Sequence, residues 1–385
     1  MLRYLSGGES HGPELTVIVE GLPSNLNVSK EIIDEQLRKR QQGYGRGMRM
    51  KIESDQVEVT SGVRFGRTLG SPVTMRVINR DFSHWTDRMA VFGAPPENGK
   101  EIHRPRPGHA DLAGAIKYDH RDVRNVLERA SARNTTTMVA AGALARQLLS
   151  EFGIRVTAHV VEIGTVRATN IPSDWDELVR LADASPVRTA DKDAEAAMMA
   201  LIDEAKAKGD TLGGVFEIVI EGCPIGLGSY VHPDRKLDGR LAGALMSIQA
   251  IKGVEIGLGF EAARRFGSNV HDPILHDGTS YLRPSNGAGG LEGGVTNGQP
   301  VVLRVAMKPI STLYKPLDSV DMVTKQAEPA AVERSDYCAV PAASVVGENV
   351  AAWVIAQAFL EKFGNDSMEQ IRDVFNAYQA RVRSR

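Results

Sequence analysis

The chain is poor in cysteine. Cys223 and Cys338 are the only two, far apart and without a C-x-x-C spacing. That excludes a disulfide-stapled scaffold and fits reduced thiols in a cytoplasmic protein. Net charge is also nearly absent, with 46 Lys plus Arg against 48 Asp plus Glu. A dedicated nucleic-acid binder carries a basic excess, and the aromatic residues that would stack on bases make up only 5%. No apolar run approaches the roughly 20 residues a membrane helix needs. The opening MLRYLSGGESHG lacks the apolar region of a signal peptide. There is no zinc spacing, no Walker A loop, no G-x-G-x-x-G after a strand and no EF-hand. The expectation is a soluble, cytoplasmic protein that binds neither nucleic acid, nor membrane, nor metal. What is present is ordinary for a globular chain, 42% hydrophobic and 24% charged over 385 residues, ample to bury a core.

Periodicity places the elements. LTVIVEG (15–21) and PVTMRVI (72–78) read as strands, as do VFEIVIEG (215–222) and PVVLRVAM (300–307). Ser29 should cap a helix with Ile32, Ile33 and Leu37 on one face, stopped by Gly43. A long helix is expected from about Val123 to Glu151, its Ala-, Thr- and Gly-rich middle packed closely on a neighbour. Further helices are expected over 194–208 and 241–252, and two more near 348–363 and 368–381.

The chain repeats itself. GRTLGSPVTMRV (66–77) and GVTNGQPVVLRV (294–305) share seven identities in register, and VEGLPSNL (19–26) parallels IEGCPIGL (220–227). The order of elements is the same both times, and the period is far too long for a solenoid. We read one large α+β domain over 1–385, built from two duplicated halves related by a pseudo-twofold. The repeat covers about 15–78 and 215–306, with an insertion at about 101–210 and closing helices at about 348–381.

Ionisable residues gather in Gly/Pro loops. SGGESHG (6–12) sets Glu9, Ser10 and His11 among glycines, which let a ligand approach the backbone; a solvated turn is the plain alternative. RKRQQGYGRGMRMK (38–51) ends a helix in cations and then places Arg46 on a glycine loop of the kind that cradles anions, with Arg49 behind. RPRPGHAD (104–111) holds Arg104, Arg106, His109 and Asp111 on a backbone stiffened by two prolines. It suits preorganised anion recognition beside a proton donor, or else Arg–Asp pairs that pin the loop. In YDHRDVRNVLERASARNTTT (118–137), Arg129 and Arg133 would share a helix face, while Arg124 and Glu128 fit a surface i,i+4 pair. KPISTLYKP and ERSDYCAVPAAS add Lys308, Ser311, Thr312, Arg334 and Asp336. Arginine concentrated in this way points to a multiply anionic ligand. HDPILHDG (271–278) reads as a solvated loop, and His84, His103, His120, His159 and His232 have no motif around them.

GESHG, GYGRG-x-RM, RPGHAD, RASAR, QAIKGVEIG, EGGVTNG, KPISTL and RSD-x-x-AVPAAS, in this order from Gly8 to about Gly364, resemble the chorismate synthase family. Asn134 departs from the acid expected after ASAR. The resemblance implies a β-α-β sandwich of duplicated halves, with helices packed between and against the sheets. It implies a carbon–oxygen lyase that converts 5-enolpyruvylshikimate 3-phosphate to chorismate and phosphate by anti-1,4-elimination. Reduced FMN would be required but not consumed, with NADPH only as a source of reductant, and the protein would be a homotetramer. By the same resemblance His11 protonates the departing phosphate, His109 sits by the flavin's pyrimidine edge and Asp336 acts near its N5. Ser10, Arg40, Arg46, Arg49, Arg106, Arg133 and Arg334 bind the substrate. Ser131, Ala132, Arg133, Gln249, Ala250, Gly293, Lys308, Pro309, Ile310, Ser311, Thr312 and Arg334 bind FMN. Without a reductase fingerprint in the chain, a separate flavin reductase is expected as partner. On the residues alone two rivals stay open: a flavoenzyme with net hydride transfer, and an anion-sensing or RNA-binding module.

Overall fold

The alternating apolar residues of LTVIVE bury Leu15, Val17 and Val19 and leave Ile18 exposed, the period of a half-buried strand. The computed structural model describes residues 1–46, 55–94, 101–278, 280–333 and 335–385. Its first sheet holds β1 (Arg3–Gly7) and β2 (Glu14–Glu20), then, after α1 (Lys30–Gln41), β3 (Val57–Ser61). A short hairpin of β4 (Val63–Arg64) and β5 (Arg67–Thr68) leads to β6 (Val73–Ile78). The order is β1-β2-β6-β3, antiparallel throughout. Ser29 caps α1 as expected, accepting from the Ile32 N–H.

Three helices follow, α2 (Asp111–Tyr118), α3 (Arg124–Ala130) and α4 (Thr135–Ser150). The second sheet begins with β7 (Arg155–Ile163) and β8 (Val166–Arg167). After α5 (Trp175–Ala184) and α6 (Lys192–Lys208) come β9 (Gly214–Glu221), α7 (Leu237–Met246) and β10 (Ile251–Ile256). Hairpins β11 (Leu275–His276)–β12 (Tyr281–Leu282) and β13 (Leu291–Glu292)–β14 (Val295–Thr296) precede β15 (Val301–Met307). Last are the hairpin β16 (Asp318–Val320)–β17 (Ala327–Pro329) and helices α8 (Val340–Phe363) and α9 (Met368–Arg383). The sheet order is β10-β15-β9-β7-β8, again antiparallel.

The repeated stretches occupy matching positions. Val19 faces Val73 across β2 and β6, and Ile220 faces Val301 across β9 and β15. The Thr68 hydroxyl donates to the Pro23 carbonyl at 2.5 Å and accepts from the Leu26 N–H at 2.9 Å. Thr296 repeats both bonds with Pro224 and Leu227, at 2.6 and 2.8 Å. One turn chemistry is thus used twice.

The stretch 101–210 takes part in the core, where β7 pairs with β9 along most of its length and α4 packs against α8. A strand flanking β9 satisfies its backbone groups where an edge would leave them open. The helix expected from Val123 to Glu151 is broken at Ser131, which is extended (φ −61°, ψ 144°) and accepts from the Arg133 N–H to start a new turn. A serine able to bond its own backbone competes with the helix in this way. The helix expected over 241–252 is α7, which ends at Met246 so that Ile251 can open β10.

Helices α1, α4, α7 and α8 pack on one another, with α4 against β2 and α8 against β7 and β9, which makes the sandwich. Against the expectation that no apolar run approaches membrane length, helix α8, at 24 residues, is long and apolar enough to cross one by composition, but 94% of its apolar window is buried inside the protein, as for a core helix. Gly142 explains how α4 approaches it so closely. A Cβ there would lie 2.4 Å from the Asn349 carbonyl oxygen.

Candidate active site

The loop after β1 is clamped by the last turn of α3. The Ser10 N–H donates to the Glu128 carbonyl at 3.0 Å, and the His11 N–H to Glu128 Oε2 at 2.8 Å. The Glu128 carboxylate also meets His11 Nδ1, at 2.9 and 3.0 Å. The Ser131 hydroxyl donates to Ser10 Oγ at 3.0 Å. Arg129 holds the same loop through the Ser6 and Gly8 carbonyls and also bonds Asn134. On its other side the His11 imidazole stacks on Trp85, ring centres 3.8 Å apart. Trp85 donates to Asp81, and Arg124 Nη1 bonds Glu128 Oε1 at 2.9 Å. Burial pushes the Glu128 carboxyl up, yet its bonds to His11 and the His11 and Arg124 charges outweigh this and hold it below its usual range.

A second cluster forms on RPGHAD. Arg106 grips the buried Asp111 by Nε (2.8 Å) and Nη2 (3.1 Å). His109 Nδ1 lies 2.5 Å from Asp111 Oδ1 and 3.1 Å from Arg106 Nη2. The shorter contact assigns the Nδ1 proton to the side of Asp111. Burial raises the Asp111 carboxyl, but bonds from His109 and Arg106 prevail and leave it well below the carboxylate range. The Arg–Asp pair thus pins the loop, with His109 hydrogen-bonded beside it.

This loop rests on the one that follows β15. Arg106 Nη1 donates to Thr312 Oγ1 at 2.9 Å. Gly108 turns with φ 76°, and a Cβ there would come within 3.7 Å of Ser311 Cβ and 3.8 Å of Lys308 Nζ. The Lys308 N–H donates to the Ala250 carbonyl at 2.9 Å, which ties Gln249 and Ala250 to the stretch 308–312. Burial and then the neighbouring Lys252 charge push the Lys308 ammonium below its usual range, a pair of cations that an anion would relieve.

A third group joins the remaining motifs. Arg46 Nη1 lies 2.9 Å from Asp336 Oδ2, and the Tyr337 N–H donates to the Gly45 carbonyl. Arg40 and Arg133 are both buried and converge on Asp55, at 3.4 and 3.3 Å. Arg129 and Arg133, expected on one helix face, point apart because the chain breaks between them: Arg129 is exposed and holds the 6–8 loop, while Arg133 faces Asp55. Gly293 lies at the β13–β14 tip, where an added Cβ would come within 3.9 Å of Tyr230 Cβ. Arg49 and Arg334 lie outside the described residues. Burial pushes the Cys338 thiol up to about 11 and that of Cys223 to about 12, which leaves both as inert packing groups. Asp272 of HDPILHDG accepts from Ser285, Gly287 and Ala288 and so serves the loop itself.

Glu128, Trp85 and Asp55 were not singled out from sequence. Arg124 and Glu128 do form the i,i+4 pair, but the carboxylate is buried and its other side serves His11. No local signal marks Trp85 or Asp55.

Comparison with known proteins agrees with these motifs. The family model for chorismate synthase matches residues 2–360. "Chorismate synthase 1" of Bacillus cereus is 58% identical over 378 residues, 97% of each chain. The chorismate synthase of Geobacter metallireducens is 56% identical over 392 residues, the full length of both. A crystal structure of a chorismate synthase superposes with a TM-score of 0.79 at 45% identity, covering 100% of this chain and 99% of that one.

Proposed function

The chain belongs to the chorismate synthase family, and from that premise we propose how its three loop clusters carry out the reaction. The activity is that of a carbon–oxygen lyase of the shikimate pathway, which forms chorismate and phosphate from 5-enolpyruvylshikimate 3-phosphate by anti-1,4-elimination. The substrate carries two carboxylates and a phosphate. His11 gives its proton to the departing phosphate, where charge develops. Ser10, Arg40, Arg46, Arg49, Arg106, Arg133 and Arg334 bind the anions, directly or by shaping the loops that do.

Reduced FMN fits the residues present. Gln249 Oε1 is buried without a hydrogen-bond partner, and the flavin ring offers an N–H. The Lys252 charge acts on the half-buried Lys308, and FMN offers a phosphate. Ser131 to Arg133, Gln249, Ala250, Gly293, Lys308 to Thr312 and Arg334 would hold it, with His109 and Asp336 at its reactive ring. When bound, its chemistry is transient electron density for the allylic system, returned by the end of each turnover. The observation that carries this reading is the Arg106–Thr312 bond, which seats the histidine loop on the loop assigned to the flavin. The same reading makes the protein a cytoplasmic homotetramer, with NADPH only as a source of electrons and a separate reductase delivering reduced flavin.

Anaerobic phosphate release from the substrate, with and without reduced FMN, tests it. Release is expected only with reduced FMN, and one charge of reduced FMN should support many turnovers. Release without flavin, or one reductant consumed per turnover, would overturn it.

A further inference from the structure

We infer that Glu128 is a positioning residue that sets both the tautomer and the charge of His11. This rests on the reading of His11 as the proton donor. A carboxylate only accepts hydrogen bonds, so the nitrogen facing Glu128 must bear a proton. Nδ1 is that nitrogen, at 2.9 Å, and exchange with the phosphate then falls to Nε2. The His11 N–H donates to the same carboxylate at 2.8 Å, and Trp85 covers one face of the ring at 3.8 Å. Backbone, ring nitrogen and ring face are thus fixed together. The Glu128 side chain is 2% exposed, so water does little to screen its charge from the imidazolium.

Other charged groups surround this pair. Arg124 of α3 bonds Glu128 Oε1 at 2.9 Å, lies over Trp85 at 5.3 Å and is 3.7 Å from Glu333. Asp81 accepts from Trp85, Arg88 lies 5.8 Å from that ring, and Glu9 belongs to the His11 loop. Glu128 is in hydrogen-bond contact with the ring, and Arg124 opposes its effect. The signs follow. Glu128→Gln removes the anion while the Arg124 cation stays, so protonated His11 is disfavoured. Arg124→Gln removes the opposing cation and favours it.

The test measures hydrogen–deuterium exchange at His11 Cε1 against pH, read by peptide mass spectrometry on the full-length protein, beside the pH profile of kcat. The His11 midpoint should fall by about 1 pH unit or more in Glu128→Gln and rise in Arg124→Gln. The high-pH limb of kcat should move in the same directions. A purely structural role would lower activity and melting temperature without moving either midpoint, and that result overturns the inference. Should Glu128→Gln fail to fold, Arg124→Gln decides alone by the sign of its shift. If the midpoints move as expected but the kcat limb stays, Glu128 keeps its role and His11 is not the proton donor. That outcome sinks the proposed function of His11 and leaves this inference standing.

Discussion

Arg106 and Thr312 stand 206 residues apart in the chain and share a 2.9 Å hydrogen bond. The donor is a guanidinium whose other nitrogens are spent on Asp111, so the bond ties a loop already pinned within itself to the loop that follows β15. Thr312→Val keeps the shape and removes the acceptor. A hydrogen bond to a charged group is worth about 1.5–3 kcal/mol, or roughly 10- to 150-fold in a dissociation constant. FMN titrated in the presence of substrate should bind weaker by about that factor in Thr312→Val. An unchanged constant would separate the two loops functionally.

The two histidines should fail differently. His11→Ala should slow phosphate release by roughly 10²–10⁴-fold, the usual worth of a general acid, with flavin affinity kept. His109→Ala should slow turnover and also alter the ionisation of bound reduced FMN, since a donor beside the ring favours one state. The absorbance of reduced FMN across pH, measured anaerobically in the ternary complex, distinguishes them. If His11→Ala alone changes that spectrum, the two roles are exchanged.

Asp111 and Glu128 make the fold acid-sensitive. Both carboxyls sit below their unfolded values in the native state. Their stabilisation is complete above the unfolded range, about pH 4, and is lost as pH falls toward the native values. The melting temperature should therefore drop as pH is lowered from about 5 to 3. Asp111→Asn has no such proton to bind, so its curve should be flatter. A curve parallel to that of the native protein would show that Asp111 contributes nothing to the acid transition.

Gly142→Ala should destabilise the core although alanine is the better helix former. Its Cβ would meet the Asn349 carbonyl oxygen of α8 at 2.4 Å, and neither helix backbone can yield cheaply between two sheets. Overpacking of this kind costs about 1–3 kcal/mol. Denaturant unfolding checks it, and equal or higher stability would mean that α4 and α8 are less tightly apposed than described.

Much of the fold was legible in the chain itself because its signals are local. Strand alternation in 15–19, the Ser29 cap and the paired G-x-T-x-G-x-P-V stretches each arise from a few neighbouring residues and bonds they can make nearby. Thr68 and Thr296 make the same two bonds because the same turn sequence surrounds both. The loop motifs stood out too, since glycine, proline and arginine share single stretches, although each stretch also admitted a plainer structural reading. The break at Ser131, the place of β7 beside β9 and the partnership of Glu128 with His11 were decided elsewhere. His11 and Glu128 are 117 residues apart, and within its own helix Glu128 reads as an ordinary surface partner of Arg124. Only the packing of α3 onto the β1–β2 loop removes that carboxylate from water, and a buried carboxylate must find donors. It finds them in Arg124, in the His11 backbone and in the imidazole, and so a residue that looked like surface charge became the one that holds the His11 ring.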